Sequence, residues 1–225
     1  MNHESPLRTD FQDKLGALNA DLVRMGELVA NAMGQATIAL LEAQPDRAER
    51  VILGDAEINE LNGSVEQHCI ALIALQAPVA SDLRVVIGSL RIAASLERMG
   101  DLAVHIAKQA QMRAPEHAVP TELAPIFEEM GSLGQQVTRR AVKLVETREI
   151  DAVASMEEMD SEVDRLHQQI FEVLDSPTWT QSAKTTVDVT LLSRYYERFS
   201  DHAVSVARRV VSIVTGAAYS DITLK

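Results

Sequence analysis

Apolar residues recur along most of this chain at intervals of three and four positions, the spacing that places side chains on one face of an α-helix. Residues that break helices, such as Pro45, Pro78 and Pro177, separate the periodic segments. The pattern predicts six long helices and no strands. Their expected bounds are residues 10–43, 46–76, 79–113, 121–148, 150–175 and 183–216.

The second half of the chain repeats the pattern of the first. The segment Asp55–Leu61 matches Asp160–Leu166, 105 positions later, and Glu97–Lys108 matches Glu197–Arg208, 100 positions later. A repeat of this size indicates that each copy is one structural unit. Each copy contains three predicted helices with short connections, and such helices pack up and down so that each buries its apolar stripe against the other two.

The sequence therefore predicts an all-α fold of two tandem up-down three-helix bundles. The expected domains are residues 1–115 and 118–225, on either side of a proline-bounded connection. Apolar residues make up 46% of the chain but aromatic residues only 4%. The core must therefore consist mainly of aliphatic side chains, which suits the packing of helix against helix.

The formal net charge of -12 argues against sequence-independent binding to nucleic acid, because that binding needs a basic surface. Cations are better partners for such a chain. Cys69 is the only cysteine, so no intramolecular disulfide is expected, and its apolar surroundings predict a small core residue. The sequence shows neither a secretory signal nor an apolar run of about 20 residues, so we expect a cytoplasmic protein that does not insert into the membrane.

Acidic pairs with i, i+4 spacing recur at matching positions of the two halves. Glu97 with Asp101, and Glu197 with Asp201, lie opposite the apolar stripe of their predicted helices and should be accessible. Two stacked carboxylates repel each other by about 0.2–0.5 kcal/mol, and a bound cation would reverse that sign. Oxygen ligands suit hard or borderline ions such as Mg²⁺, Mn²⁺, Fe or Ca²⁺.

The second predicted helix of each repeat offers further oxygen ligands with the same spacing. The complete set of candidate metal ligands is Glu97, Asp101, Glu197, Asp201, Asp160, Asp164, Asp55 and Asn59. The alternative is that these are solvated residues, with Arg98 and Arg198 forming surface ion pairs worth about 0–1 kcal/mol. Repetition of the pattern favours a metal site. Glu57 and Glu162 point away from the pairs and rank lower.

A catalytic role finds little support in the sequence. Di-metal enzymes built on helical bundles use two Glu-x-x-His pairs, and here only Asp164-x-x-His167 comes near. A glycine-rich phosphate loop, a nucleophile elbow and a cysteine cluster for zinc are all missing. We therefore predict a protein that is not an enzyme, and keep a carboxylate-bridged metalloenzyme and a purely structural helical scaffold as alternatives.

Three segments carry a resemblance to a known family. The run Gln76–Arg84, the following Leu96–Asp101 and the second copy Glu197–His202 resemble the PhoU family of phosphate-transport regulators, and the resemblance covers nearly the whole chain. It implies a cytoplasmic, commonly homodimeric negative regulator of phosphate uptake and of the phosphate-starvation response. It also implies that the protein acts as an adaptor between the ATPase of the phosphate ABC transporter and a sensor histidine kinase. Only contacts with such partners would place the protein at the inner face of the membrane.

The resemblance further implies metal clusters at E(D)xxxD motifs. These motifs are Glu97 with Asp101, Glu197 with Asp201, and Asp160 with Asp164. The first repeat departs from the motif at Asn59, where an amide replaces a carboxylate, so we expect weaker binding there. The second departs at Ser200, which stands where the first repeat has glycine. The metal stays open: divalent or trivalent, with Fe, Mn, Mg, Zn and Ca as candidates.

The segment Asp82-Leu83-Arg84 has no evident mate in the second repeat. Asp82 can sit in the first turn of a helix, where a negative charge complements the helix dipole. Contact with a partner is the other interpretation, and the sequence favours neither.

Overall fold

Long α-helices make up most of the described part of the chain. The computed structural model describes residues 6–76, 78 and 80–222, and in these residues it contains six α-helices and no strand. The helices are α1 (Pro6–Leu41), α2 (Pro45–Gln76), α3 (Ser81–Arg113), α4 (Ala124–Thr147), α5 (Ala154–Leu174) and α6 (Ala183–Thr215). The predicted helix bounds agree with these to within a few residues. The predicted start of the third helix, residue 79, lies outside the described residues.

Two short 3-10 helices lie before α5 and after α6, at Ile150–Ala152 and Tyr219–Asp221. Local sequence explains the bounds of α6. The Ser182 hydroxyl accepts a hydrogen bond from the N–H of Thr185 at 3.1 Å and so satisfies a free amide at the helix start. Gly216 ends the helix at a φ of 76°, a conformation that glycine adopts at little cost.

The predicted apolar stripes form the core. Residues of the α3 stripe are buried, and so are those of the α6 stripe except for the partly buried Ile213; the buried members are Ile92, Leu96, Met99, Ala103, Ile106, Leu192, Tyr196, Phe199, Ala203, Val206 and Val210. Cys69 is buried as expected, with its Sγ 3.5 Å from the carbonyl oxygen of Val86. Burial raises the pKa of this thiol to about 11, so it stays protonated at neutral pH.

Each repeat forms the expected three-helix bundle, and the two bundles also pack on each other. Helix α1 contacts α4, and α3 contacts α6, so these four helices surround one continuous apolar core with α2 and α5 outside them. At the α1–α4 crossing a Cβ atom at Gly131 would overlap the side chain of Thr37. The fold class is confirmed. The proposed boundary between residues 115 and 118 lies in the α3–α4 connection, but the apolar core continues across it.

Polar contacts also join the two repeats. The Tyr196 hydroxyl of α6 lies 3.0 Å from Thr37 Oγ1 of α1 in the buried interior. In a second, mostly buried contact, Arg113 of α3 donates two hydrogen bonds to Asp188 of α6, at 2.6 and 2.8 Å. Because α3 and α6 run antiparallel, the start of each helix lies beside the end of the other.

Among the described residues, none of the helices combines the length and the hydropathy that a membrane crossing requires.

Candidate metal centres

The first candidate site lies where α2 packs against α3. Asp55 and Asn59 of α2 belong to it, together with Glu97 and Asp101 of α3. The Asn59 amide donates a hydrogen bond to Asp55 Oδ2 at 2.8 Å. A Cβ atom at Gly100 would lie only 2.9 Å from Asp55 Oδ1, so the glycine allows the carboxylate to approach α3 closely.

Burial and like charge perturb the carboxylates of this first site. Burial raises the pKa of Asp55, and the charge of Asp101 raises it further, while the Asn59 amide and Lys108 oppose the rise. The pKa of Glu97 is raised chiefly by burial, and then by Asp101 and Asp55, against Arg98. The carboxylates therefore lie close enough to repel one another, as residues of a shared cation site would.

Arg98 is the basic neighbour of the first site, but it lies at the rim. Its Nη1 donates to Asp101 Oδ2 at 3.0 Å and its Nε lies 3.7 Å from Glu97 Oε2, while 66% of its side chain is exposed. An ion pair this exposed contributes about 0–1 kcal/mol. Asp55 Oδ1, deeper in the site, is buried without a hydrogen-bond partner among the described residues. A buried carboxylate oxygen without a partner is costly unless a ligand satisfies it.

The second candidate site occupies the corresponding position between α5 and α6. It consists of Asp160 and Asp164 of α5 with Glu197 and Asp201 of α6. Burial is the main cause of a raised pKa at the first three of these residues, and the charge of Asp201 contributes to the rise at each. The nearby Ser200 hydroxyl opposes the rise at Asp160. The second site thus has four carboxylates where the first has three and an amide.

Basic groups surround the second site on two sides. Arg194 donates a hydrogen bond to Glu197 Oε1, yet Glu197 Oε2 is buried and without a partner in the described part of the chain. Arg208 lowers the pKa of Asp160, as Lys108 does for Asp55 at the matching position of the first repeat. Each site therefore combines repelling carboxylates with one unpartnered oxygen, and a cation would relieve both.

The structure brings the candidate residues together in two groups, one in each repeat, but some of them are less exposed than the helical wheel predicts. Asp55 and Asn59 join the Glu97 pair, and Asp160 and Asp164 join the Glu197 pair, as expected. However, the side chains of Glu97 and Glu197 are only 24% and 12% exposed. The expectation of freely accessible carboxylates is wrong for these two, because α2 and α5 pack beside the face that carries them.

The two acidic residues that ranked lower as candidates form ion pairs with other residues. Glu57 forms an ion pair with Arg24 of α1, and Glu162 forms one with Arg165 one turn away on α5. Both acids therefore belong to surface ion pairs.

His167 is a neighbour of the second site that sequence reasoning set aside. It follows Asp164 by three residues on α5, acts on the pKa of that carboxyl, and its own Nδ1 is buried without a partner among the described residues. Burial lowers the pKa of His167, which favours the neutral form that can bind a metal. The spacing Asp164-x-x-His167 was the available signal, but one such pair alone does not make a di-metal motif.

The two sites differ from a preformed metal shell. Within residues 6–76, 78 and 80–222, no three His, Cys, Asp or Glu side chains converge in the way that holds an ion. The donors present still fit a hard cation, since they are oxygens, they repel one another, and each site holds a buried oxygen without a partner.

Fold and site together define a class of protein. It is an all-helical, duplicated three-helix protein in which each copy carries a carboxylate cluster at the same place. The sequence model of the PhoU domain matches this chain twice, at residues 22–110 and 127–210, once in each repeat. The chain belongs to the PhoU family.

Named relatives cover nearly the whole chain. The phosphate-specific transport system accessory protein PhoU homolog 2 of Mycobacterium tuberculosis is 42% identical over 94% of this chain and 99% of its own length. PhoU homolog 1 of Mycobacterium leprae is 40% identical over 97% of this chain and 98% of its own length. These names describe accessory proteins rather than enzymes.

Solved structures show the same architecture. The crystal structure of PhoU from Pseudomonas aeruginosa has a TM-score of 0.80 at 25% identity, covering 92% of this chain and all of that one. The crystal structure of the phosphate transport system regulatory protein PhoU from Streptococcus pneumoniae has a TM-score of 0.82 at 26% identity. The match covers 92% of this chain and 98% of that one.

Proposed function

We propose that this protein is a cytoplasmic accessory protein of phosphate transport that represses phosphate uptake and the phosphate-starvation response. The observation that carries the proposal is the end-to-end match to relatives named as accessory proteins of the phosphate-specific transport system. The protein would act through protein contacts, as an adaptor between the transporter ATPase and a sensor histidine kinase, and as a homodimer. The net charge of -12 would quicken its association with basic surfaces, increasingly so at low salt.

The two carboxylate clusters would hold divalent or trivalent cations. Asp55, Glu97 and Asp101 would provide the ligands of the first site, with Asn59 supplying an amide oxygen. A bound ion would cancel the repulsion between these carboxylates and cross-link α2 to α3. Availability as much as geometry decides which metal such oxygen sites take.

The second site would bind more tightly than the first. It offers four carboxylates, Asp160, Asp164, Glu197 and Asp201, and each additional negative ligand strengthens the attraction for a hard cation. His167 lies at its edge as a nitrogen donor. A bound ion would cross-link α5 to α6, so metal loading and the surface shape of both bundles would be coupled.

Co-purification tests the adaptor role. The tagged full-length protein is expressed in its own cell type and captured with and without added chelator, and the captured proteins are identified. We expect the transporter ATPase and the histidine kinase in the capture. Association with neither, at native expression levels, would remove the basis for the adaptor.

A charge-matched control belongs with this experiment. The variant of interest replaces Glu97, Asp101, Glu197 and Asp201 by alanine. The control replaces four exposed acids that lie outside both clusters, and they are Glu60, Glu66, Glu128 and Glu158. Both variants change the net charge equally, so loss of a partner from the first alone points to the clusters and not to charge.

A further inference from the structure

A second kind of site lies at the end of the molecule where α3 begins and α6 ends. A cavity of about 360 Å³ opens there between the two helices. Three arginines line it: Arg84 and Arg91 of α3, two helical turns apart, and Arg209 of α6. No acidic residue is among its described lining residues, although the chain as a whole is strongly acidic. The cavity is distinct from both carboxylate clusters.

The three arginines have no counter-ion in the described part of the chain. Six other arginines do form ion pairs there, and they are Arg24, Arg98, Arg113, Arg165, Arg194 and Arg208. Arg209 is partly buried, and burial together with the charge of Arg91 lowers the pKa of its guanidinium. Cations brought together without carboxylates repel one another, and an anion between them would remove that cost.

Two of these guanidinium groups lie against other parts of the chain. Arg209 stacks over the ring of Tyr219, with its Cζ 3.9 Å from the ring centroid. The Arg84 guanidinium lies beside Gly216, at the C-terminal end of α6, where a Cβ atom would lie 3.4 Å from its Nη2. Guanidinium groups that are already oriented lose less conformational entropy when they bind a ligand.

The internal repeat supplies a comparison for this arrangement. At the opposite end of the α3–α6 pair, α6 begins beside the end of α3. Corresponding positions of the two helices differ by 100 in residue number, so each residue at one end has a counterpart at the other. The counterparts of the three arginines there are Lys184, Leu191 and Gln109. Only one of these counterparts is basic, so the arginine cluster is confined to one end of the molecule.

The opposite end also contains its own counter-ion. Asp188 stands there at the position of Gly88, and it binds Arg113, which stands at the position of Ile213. At the arginine end, Gly88 and Ile213 pack together as apolar partners. One end is therefore neutralised by the chain itself, whereas the other presents three cations to a cavity without neutralising them.

The chemistry of this cavity fits phosphate groups. Guanidinium groups bind phosphate oxygens through paired hydrogen bonds, and three of them line this cavity. The volume lies within the range of about 300–1,000 Å³ typical of small-molecule pockets, and Leu83 and Ile87 give it an apolar wall. We propose that this cavity binds a small anion that carries phosphate groups, with Arg84, Arg91 and Arg209 as its ligands.

Binding of an anion in this cavity requires neither the regulatory role proposed above nor the binding of metal at the carboxylate clusters. It gives a chemical role to Arg84, which belongs to the segment Asp82-Leu83-Arg84 that has no mate in the second repeat. Asp82 itself lies in the first turn of α3, as the helix-start interpretation predicts, and does not line the cavity.

Calorimetric titration of the full-length protein tests the proposal. The protein is freed of metal with a chelator that is then removed, and inorganic phosphate, pyrophosphate and ATP are titrated in turn at constant ionic strength, with sulfate as a non-phosphate anion. We expect saturable one-to-one binding of at least one phosphate compound. Tighter binding of ATP would identify a phosphate ester as the ligand class, and tighter binding of phosphate or pyrophosphate would identify an inorganic anion.

Matched variants locate the site. Arg91→Gln and Arg209→Gln should each weaken the Kd by about tenfold or more, because each removes charge-assisted hydrogen bonds. Lys184→Gln removes one positive charge at the opposite end of the α3–α6 pair, where Lys184 is the counterpart of Arg84, and should leave the Kd unchanged. Equal weakening by Lys184→Gln, or no saturable heat with any phosphate compound, would overturn the proposal.

Hydrogen exchange on the wild-type protein gives a test that does not rely on the variants folding. The phosphate compound that binds should slow amide exchange in the first turns of α3 and around Tyr219. Protection confined to the α2–α3 or α5–α6 carboxylate sites would show that the anion binds elsewhere and would contradict the assignment.

Discussion

Replacing Asp188 by alanine should destabilise the protein strongly, because it would leave Arg113 with a mostly buried and unpaired charge. The Asp188 carboxylate accepts hydrogen bonds from Arg113 Nε at 2.6 Å and from Nη2 at 2.8 Å. The two side chains are only 10% and 16% exposed. Removing one partner of a buried pair costs about 3–5 kcal/mol, and the remaining water contact reduces the expected loss to about 2–4 kcal/mol.

The opposite end of the α3–α6 pair shows which control to use. At the corresponding positions the chain packs two uncharged residues, Ile213 and Gly88, against each other. The double variant Arg113→Ile with Asp188→Ala approaches that apolar arrangement and avoids a glycine inside α6. Because it leaves no unpaired group, its loss should be only about 0–1.5 kcal/mol.

Equilibrium unfolding in urea, followed by circular dichroism at pH 7, measures these differences as changes in the free energy of unfolding. A loss below about 0.5 kcal/mol in Asp188→Ala would show that the pair behaves as an exposed ion pair, and that water enters the α3–α6 contact. A loss in the double variant equal to that of Asp188→Ala would assign the effect to packing rather than to the unpaired charge.

Three further predictions concern the carboxylate sites and the repeats. At a metal concentration of 100 times the Kd of one site, binding at that site should stabilise wild type by about 2.7 kcal/mol, and Glu197→Ala with Asp201→Ala should remove binding at the second site in calorimetric titration. At pH 7 the metal-free variant Asp160→Asn with Glu197→Gln should unfold at a higher temperature than wild type. This advantage should disappear as the pH falls through the raised pKa values of the two carboxyls, because wild type then binds the protons that cancel its buried charges. Residues 1–115 and 118–225, expressed separately, should each be helical by circular dichroism and should associate when mixed, because the α1–α4 and α3–α6 contacts would otherwise expose apolar surface.

Each of these predictions has a result that contradicts it. Unchanged stoichiometry and affinity in the Glu197→Ala, Asp201→Ala variant would show that these residues are not ligands. A stability difference between Asp160→Asn, Glu197→Gln and wild type that does not change with pH would show that the two carboxyls are not perturbed. Two unstructured fragments would show that neither repeat folds without the other.

The fold could be predicted because its signals are long and repeated. Six periodic segments with breakers between them specify six helices, and the match of Glu97–Lys108 with Glu197–Arg208 specifies a duplication. The contacts between repeats could not be predicted in the same way. An apolar stripe shows that a helix face is buried but not which helix covers it, so the pairing of Thr37 with Tyr196 depends on the packing register.

The sequence predicted which residues of one helix lie together in the candidate sites, but not how the neighbouring helix covers them. Spacing of i, i+4 places Glu197 above Asp201 on one helix, but the cover provided by α5 follows only from packing. The arginine cavity shows the same limit. Arg84 and Arg91 share a face because seven residues make nearly two turns, whereas Arg209 joins them from a helix more than 100 positions away.

Reporter expression in a deletion strain measures whether this protein represses the phosphate-starvation response. A phosphate-starvation promoter is measured in phosphate-rich medium in cells that lack this protein, and in the same cells carrying wild type, the Glu97, Asp101, Glu197, Asp201 alanine variant or the charge-matched control at equal protein levels. We predict constitutive expression in the deletion strain, with repression restored by wild type and by the control but not by the cluster variant. Normal repression in the deletion strain would contradict the regulatory role, and full rescue by the cluster variant would contradict a regulatory role for the two sites.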